Sequence, residues 1–258
     1  MKILAINGTP HRGNTWSWAN YFKNEYADQI EFSEIHLYKE KIPYCLGCNL
    51  CLVKGEDRCP HSEEVQAIVD KISEADGTII ASSAYSLGVN AVLKNFIDHM
   101  SYNFHRPQYP YKKALVITSA AGSGHNAVAK YIHDVLGHWN FNKIYRFAFK
   151  SVALSGYKPN DKQKEKFDKV AKKFLADIES KKIHSPSFKR LFYFGVWKAM
   201  ALTDIDDESE DKKFWTENGM MDLDYHKGVK INPIKKRFAR IMYKMMHRIM
   251  KRNKKKEL

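Results

Sequence analysis

Lys2-Ile3-Leu4-Ala5-Ile6-Asn7-Gly8-Thr9-Pro10-His11-Arg12-Gly13-Asn14-Thr15 opens the chain with a short apolar run that breaks into a polar, glycine-bearing loop. The run 2–6 predicts a buried strand, and residues 16–26 beyond the loop predict a helix. A strand that begins this early predicts no signal peptide. Such a loop aims backbone N–H groups and small hydroxyls at one place, and the helix start behind it adds partial positive charge, so the segment suits a phosphate. The helix field contributes only ~0.3–1 kcal/mol. Direct donors must therefore supply most of the affinity: Thr9, Asn14, Thr15 and the backbone, with His11 and Arg12 adding charge. The loop has neither the Gly-Lys-Ser/Thr ending of a Walker A motif nor the G-x-G-x-x-G pattern, which removes the usual anchors for ATP and adenine dinucleotides. Standing alone, it reads equally as an ordinary strand–helix turn with a Thr or Asn cap.

It does not stand alone. Strands are predicted at 31–37, 78–82, 114–118 and 143–149, and helices at 62–73, 90–102, 126–139 and 161–180. Five apolar strands alternating with helices predict an α/β fold, a five-stranded parallel sheet with helices on both faces, complete by about residue 182. Ligands of such sheets lie at the carboxyl ends of the strands. Three loops meet there: residues 7–15, then Ser82-Ser83-Ala84-Tyr85-Ser86-Leu87-Gly88, then Ser119-Ala120-Ala121-Gly122-Ser123-Gly124. The first takes a phosphate, and the other two form a slot for a flat heteroaromatic ring. Taken singly, Tyr85 also reads as strand-end packing, and Gly122 and Gly124 as plain turn residues.

The only four cysteines of the 258 residues, Cys45, Cys48, Cys51 and Cys59, fall within fifteen positions, with Pro60 after the last. Their C-x2-C-x2-C-x7-C spacing is close to the compact runs that hold one [4Fe-4S] cluster. Structural zinc sites usually arrive as two separated C-x2-C knuckles, a pattern absent here. A disulfide framework is weaker still, because no other cysteine offers a partner. Four reduced thiols that ligate nothing remain the alternative.

Residues 7–15 resemble the phosphate loop of the NADPH-dependent FMN reductase family, within the flavodoxin-like superfamily. Cys45-Leu46-Gly47-Cys48-Asn49-Leu50-Cys51 up to Cys59 resembles the cysteine loop of its iron–sulfur flavoprotein branch. The stretch from Ala81 to His99, with Tyr85 and Leu93-Lys94-Asn95-Phe96-Ile97-Asp98, is similar to the family's second flavin loop and following helix. The resemblance implies a flavodoxin-like sheet in a homodimer or homotetramer, non-covalent FMN, and NAD(P)H as co-substrate. It assigns the FMN phosphate to Thr9, His11, Gly13, Asn14 and Thr15, and the ring to 82–88 and 119–124. Two positions depart from it: Ser82-Ser83 stands where the family often has Ser-Pro, and Asp98-His99 where it often has Asp-Arg. Hydride chemistry belongs to the cofactor, so no catalytic side chain is expected. His11, His61, His99, His105 and His125 read mostly as surface polar residues.

Beyond residue 182 the composition changes. Residues 183–232 carry Phe188, Leu191, Phe192, Phe194, Trp197 and Met200, which predict a helix with a broad apolar face. This extension reads as an oligomer interface, or as a flap with Trp197 or Trp215 near the ring. The acidic run 204–211 reads as a solvated turn. Residues 233–258 hold eleven Lys or Arg and one acid, so about +10 of the formal +14 sits in this segment. General nucleic-acid binding is therefore not implied for the rest of the chain. Ile234, Phe238, Ile241, Met242, Met245, Ile249 and Met250 recur at helical spacing, giving a basic amphipathic helix. It reads either as a peripheral membrane contact or as a helix docked on the protein itself, and charges in every turn exclude a transmembrane span. The expected whole is a cytoplasmic FMN-dependent NAD(P)H oxidoreductase acting on a quinone, nitro or azo compound or a protein carrier. The alternative is a non-enzymatic electron-transfer or redox-sensing flavoprotein held at a membrane or partner by its tail.

Overall fold

The computed structural model describes residues 1–152, 157–203 and 209–257. The chain runs β1 (Lys2–Asn7), α1 (Asn14–Glu25), β2 (Glu31–His36), α2 (Leu50–Val53), α3 (Ser62–Glu74), β3 (Gly77–Tyr85), β4 (Gly88–Val89), α4 (Ala91–His99), α5 (Tyr102–His105), β5 (Lys113–Ala120), α6 (His125–His138), β6 (Lys143–Lys150), α7 (Asp161–Glu179), α8 (Phe188–Thr203), α9 (Glu210–Glu217) and α10 (Pro233–Glu257). Five parallel strands are ordered β2-β1-β3-β5-β6, and β4 adds a two-residue antiparallel hairpin on β3. This is the flavodoxin-like order, which reverses direction between β1 and β3. The five expected strands are all present, and the hairpin is the addition.

The central strands are apolar on both faces because both faces are covered. Leu4, Ile6, Ile80, Ala114 and Val116 pack under α3, α4 and α6, through Val65, Ile68, Leu93, Phe96, Val128 and Ile132. Ile3, Ala5, Ile79, Leu115 and Ile117 face α1 and α7, through Trp18, Phe22, Phe167 and Phe174. Trp18 meets Phe147 at 4.7 Å and Phe167 at 4.8 Å between ring centroids, edge-on or tilted. Helix α7 begins at a capping box, where Asn160 accepts from the Gln163 amide and Gln163 returns the bond. This satisfies two of the end's orphan donors.

Gly8 marks where β1 must pass close to α4. A Cβ there would lie 2.8 Å from Leu93 Cβ. Gly8→Ala therefore pushes α4 off the sheet and costs about 1–3 kcal/mol by overpacking. Thermal denaturation checks this, and an unchanged melting temperature would show that α4 gives way freely.

The helices after α7 build a third cluster from Leu191, Phe194, Ala201, Trp215, Met220, Tyr225 and Ala239. It is tied to the main domain through Asn140, whose Nδ2 lies 3.0 Å from His226 Nε2 and whose Oδ1 accepts from Tyr225 at 2.8 Å. Burial pushes the His226 imidazole down to about 3. Unfolded chain takes up a proton below the ordinary histidine value of about 6.5, which the folded state refuses until near 3. Stability is therefore lost as pH falls between those values, by up to about 1.4 kcal/mol per pH unit from this group. Melting temperatures from pH 7 to 4 should fall, and His226→Gln should flatten the slope.

Candidate functional site

The carboxyl ends of β1, β3, β5 and β6 surround an open cleft of about 590 Å³. Thr9, His11, Arg12, Gly13, Asn14, Thr15, Ser83, Ala84, Tyr85, Ser119, Ala120 and Ala121 line it, so all three sequence-predicted loops converge there. Ser82 is fully buried behind the lining. Ser86, Leu87, Gly88, Gly122 and Gly124 do not reach the cleft wall. Ser17, Ser151 and Tyr157 do, although the sequence reading did not single them out.

Helix α1 starts at Gly13 with no side-chain cap and no acid in its first turn. Its leading amides have no intrahelical acceptor and lie at the positive end of a helix, beside the open cleft. Thr15 Oγ1 lies 2.5 Å from Ser119 Oγ, and Asn14 Nδ2 donates to Ser151 Oγ at 2.7 Å, which stitches the loop to β5 and β6. Thr9 is turned inward: its amide donates to Asn7 Oδ1 at 3.2 Å, and its hydroxyl lies 2.6 Å from the His11 carbonyl oxygen. Arg12 is drawn aside, with Nη2 3.1 Å from Glu34 Oε2 and 2.7 Å from His36 Nε2. Although burial opposes it, Lys23, His36 and Arg12 together hold the Glu34 carboxyl below its ordinary value. The cleft floor therefore presents amides and hydroxyls, with Arg12 as an already paired charge.

The second wall is the β3–β4 hairpin, whose central residues Ser86 and Leu87 have φ of 48° and 66°. A type I′ two-residue hairpin needs this left-handed pair, and Asn-Gly is its unstrained choice. Ser-Leu carries strain here and places Leu87 at the tip, 65% exposed. Gly124 lets α6 start against that tip, since a Cβ on it would sit 3.2 Å from Leu87 Cα and its φ is +98°. Gly124 thus supports the hairpin rather than touching the cleft, and Gly122 has open space around it.

A second, smaller cavity of about 40 Å³ is lined by Cys45, Cys48, Cys51 and Cys59 together with Gly47, His61, His99 and Ser101. Gly47 and Asn49 are both left-handed, with φ of 62° and 60°, and bend the chain between the first three cysteines. Asn95 of α4 holds this loop by accepting from the Cys45 amide at 2.9 Å and donating to the Pro43 carbonyl at 3.0 Å. His99 Nε2 lies 2.9 Å from the Pro43 carbonyl, and its Nδ1 lies 3.8 Å from Cys59 Sγ. Unlike the expected surface histidines, His99 is buried. One of its ring nitrogens, Cys59 Sγ and one His61 nitrogen lie within 4.8 Å of one another, so these three side chains gather potential ligand atoms. Burial pushes the Cys51 thiol up, against a hydrogen bond from Ser101.

The C-terminal region braces the cysteine loop. Arg106, 2% exposed, donates to the Cys51 carbonyl and, at 3.3 Å, to the Leu52 carbonyl, and pairs with Glu56 at 3.0 Å and Asp211 at 2.5 Å. Asp211 also meets His105 Nδ1 at 2.7 Å. The expected solvated acidic turn is thus corrected at its end: Asp211 is an interior ion-pair partner, and Ser209 caps α9. Residues 204–208 of that run lie outside the described residues. Trp215 donates to the His105 carbonyl at 3.0 Å, and Trp197 stacks on the His105 ring at 4.3 Å. Neither tryptophan lines the cleft of this chain.

Comparison with known proteins agrees with this geometry. Residues 1–153 match the family model described as NADPH-dependent FMN reductase. The chain belongs to that family. This FMN reductase family member is 30% identical over 228 residues to an iron-sulfur flavoprotein of Archaeoglobus fulgidus, covering 86% of this chain and all of the relative. An iron-sulfur flavoprotein of Clostridioides difficile is 28% identical over 234 residues, again with 86% and 100% coverage. Among solved structures, an apo NADH:FMN oxidoreductase superposes with a TM-score of 0.52 at 20% identity, over 68% of this chain and 89% of its own. The NAD(P)H:quinone oxidoreductase of Methanothermobacter marburgensis does so at 0.52 and 16% identity, over 69% and 97%. These two establish a shared fold. The FMN reductase family member is accordingly an oxidoreductase of the flavodoxin-like class.

Proposed function

We propose that the chain binds FMN in the 590 Å³ cleft and takes electrons from NAD(P)H, passing them to a quinone, nitro or azo compound or an electron-carrier acceptor. The start of α1 carries this reading, because leading amides without intrahelical acceptors, at the positive end of a helix beside an open cleft at the β1/β3 reversal, match a mononucleotide phosphate. Asn14, Thr15 and the amides of 13–15 hold the phosphate, Thr9 braces the loop from inside through Asn7 and the His11 carbonyl, and Arg12 adds charge from the rim. Ser83, Ala84 and Tyr85 form one side of the ring slot, and Ser119, Ala120 and Ala121 the other, with Tyr157 at its edge. Backbone N–H groups near the ring stabilise negative charge there. When bound, FMN supplies two-electron hydride acceptance, and a [4Fe-4S] cluster supplies single-electron transfer.

Cys45, Cys48, Cys51 and Cys59 are the residues that would hold such a cluster, since all four line one cavity. The iron-sulfur names of the relatives support this over free thiols. A homodimer or homotetramer is part of the same reading. Anaerobic absorption spectra with iron and sulfide assays test both cofactors. We expect flavin bands plus about four irons per chain, with iron lost in Cys59→Ser while flavin stays. A protein that stays colourless after added FMN and anaerobic reconstitution would overturn the assignment. Steady-state NAD(P)H oxidation with soluble acceptors separates an enzyme from an electron carrier, which turns over little without its partner.

A further inference from the structure

Helix α10 leaves an apolar stripe without a partner. One of its faces docks on α8: Phe238 meets Phe188 at 5.0 Å between ring centroids, Ala239 is buried, and a Cβ at Gly195 would touch the Tyr243 backbone at 3.4 Å. The expected docking on the protein's own surface is thus met by part of the helix only. Ile234, Ile241, Met245 and Ile249 remain 74%, 50%, 41% and 44% exposed. Their spacing of seven, four and four residues puts them on one side of the helix. On α8, Phe188 and Met200 are 46% and 37% exposed, with half-exposed Phe192 and Val196 between them at the same four-residue interval. At about 100° per residue, Arg237, Arg240, Lys244, Arg248 and Lys251 fall on the far side of the α10 stripe from α8.

All five basic residues are exposed. Arg240 is bonded to Asp224 at 2.9 Å, whereas among the described residues Arg237, Lys244, Arg248 and Lys251 have no acidic partner. Helix α10 holds no acid before Glu257. Among the described residues no helix is long and apolar enough to cross a membrane.

We propose that this face seats on an anionic lipid bilayer, with α10 lying in the headgroup plane, the stripe dipping toward the acyl chains and the basic row on lipid phosphates and carboxylates. Charge complementarity selects this occupant. A second copy would bring two rows of like charge together, and a nucleic acid would use the cations while leaving four large apolar side chains in water. Interfacial helices combine this apolar face with a basic flank. The inference is independent of which acceptor the cleft serves.

Cosedimentation of the full chain with vesicles of phosphatidylcholine alone, or with added phosphatidylserine, tests it. Binding is expected only with phosphatidylserine and should weaken with salt. Each cation removed should lower affinity about fivefold, so K244Q/R248Q/K251Q should bind roughly 100-fold more weakly. I241S/M245S/I249S should bind at least about tenfold more weakly with its helical circular dichroism retained. Failure to sediment with phosphatidylserine vesicles, or binding indifferent to the three apolar substitutions, would overturn the proposal. So would tighter retention on duplex DNA than on vesicles, or a dimer in gel filtration that the apolar triple variant abolishes.

Discussion

Asn14→Asp should lower FMN affinity by more than about 100-fold while leaving the fold as stable as before or slightly more so, since the Ser151 hydroxyl that accepts from Asn14 Nδ2 can donate to the carboxylate instead. Asn14 is the first residue of α1, in a turn that carries no acid. A carboxylate there favours the helix by about 0.3–1 kcal/mol through its dipole. The same charge would stand beside a bound phosphate, where like charges a few ångströms apart near a protein surface repel by roughly 3 kcal/mol. The opposite signs make the result diagnostic, since a variant that merely misfolds loses both affinity and stability. Fluorescence titration with FMN, beside a thermal melt of the apoprotein, reads the two effects. Undiminished FMN affinity would mean that the phosphate sits elsewhere.

Arg106→Ala should cost about 3–5 kcal/mol, because it leaves Asp211 and the Cys51 carbonyl without the charge that both were folded around. For a chain of this size that is a fall in melting temperature of roughly 10 °C. The damage should also reach the cysteine loop: bound iron after anaerobic reconstitution should fall well below wild type, while FMN binding, in a cleft that Arg106 does not line, should persist. Asp211→Asn, which keeps the shape and removes the charge, should lose less stability than Arg106→Ala. If both variants melt like the wild type, the brace between α9 and the cysteine loop carries no energy.

The sheet was readable because its strands are apolar on both faces and each is followed by a turn or helix signal; the five predicted strands all form, with small shifts at their ends. The three cleft loops were readable for the same reason, since a parallel sheet brings its odd connections to one edge. What escaped was lateral information. Ser151 and Tyr157 reach the cleft because β6 lies beside β5, and no local pattern announces that adjacency. The β4 hairpin escaped because its turn, Ser86-Leu87, is not one that hairpins favour. The partnership of Arg106 with Asp211 spans 105 positions, and in one dimension each reads as an ordinary surface charge. The aromatic extension was recognised as apolar, but its burial partners, His105 and the cluster around Trp215, belong to tertiary structure.

Helix α4 has a consequence of its own. Its cap, Asn90, directly follows the hairpin that walls the cleft, while Asn95 and His99, farther along the same rod, grip the loop that bears the sulfurs. Its nine residues span about 12 Å, a length set by helical pitch rather than by any flexible tether. Thermal breathing would therefore carry both stations together as one rigid strut, so the spacing between the hairpin wall and the cysteine loop holds while the rest of the surface fluctuates.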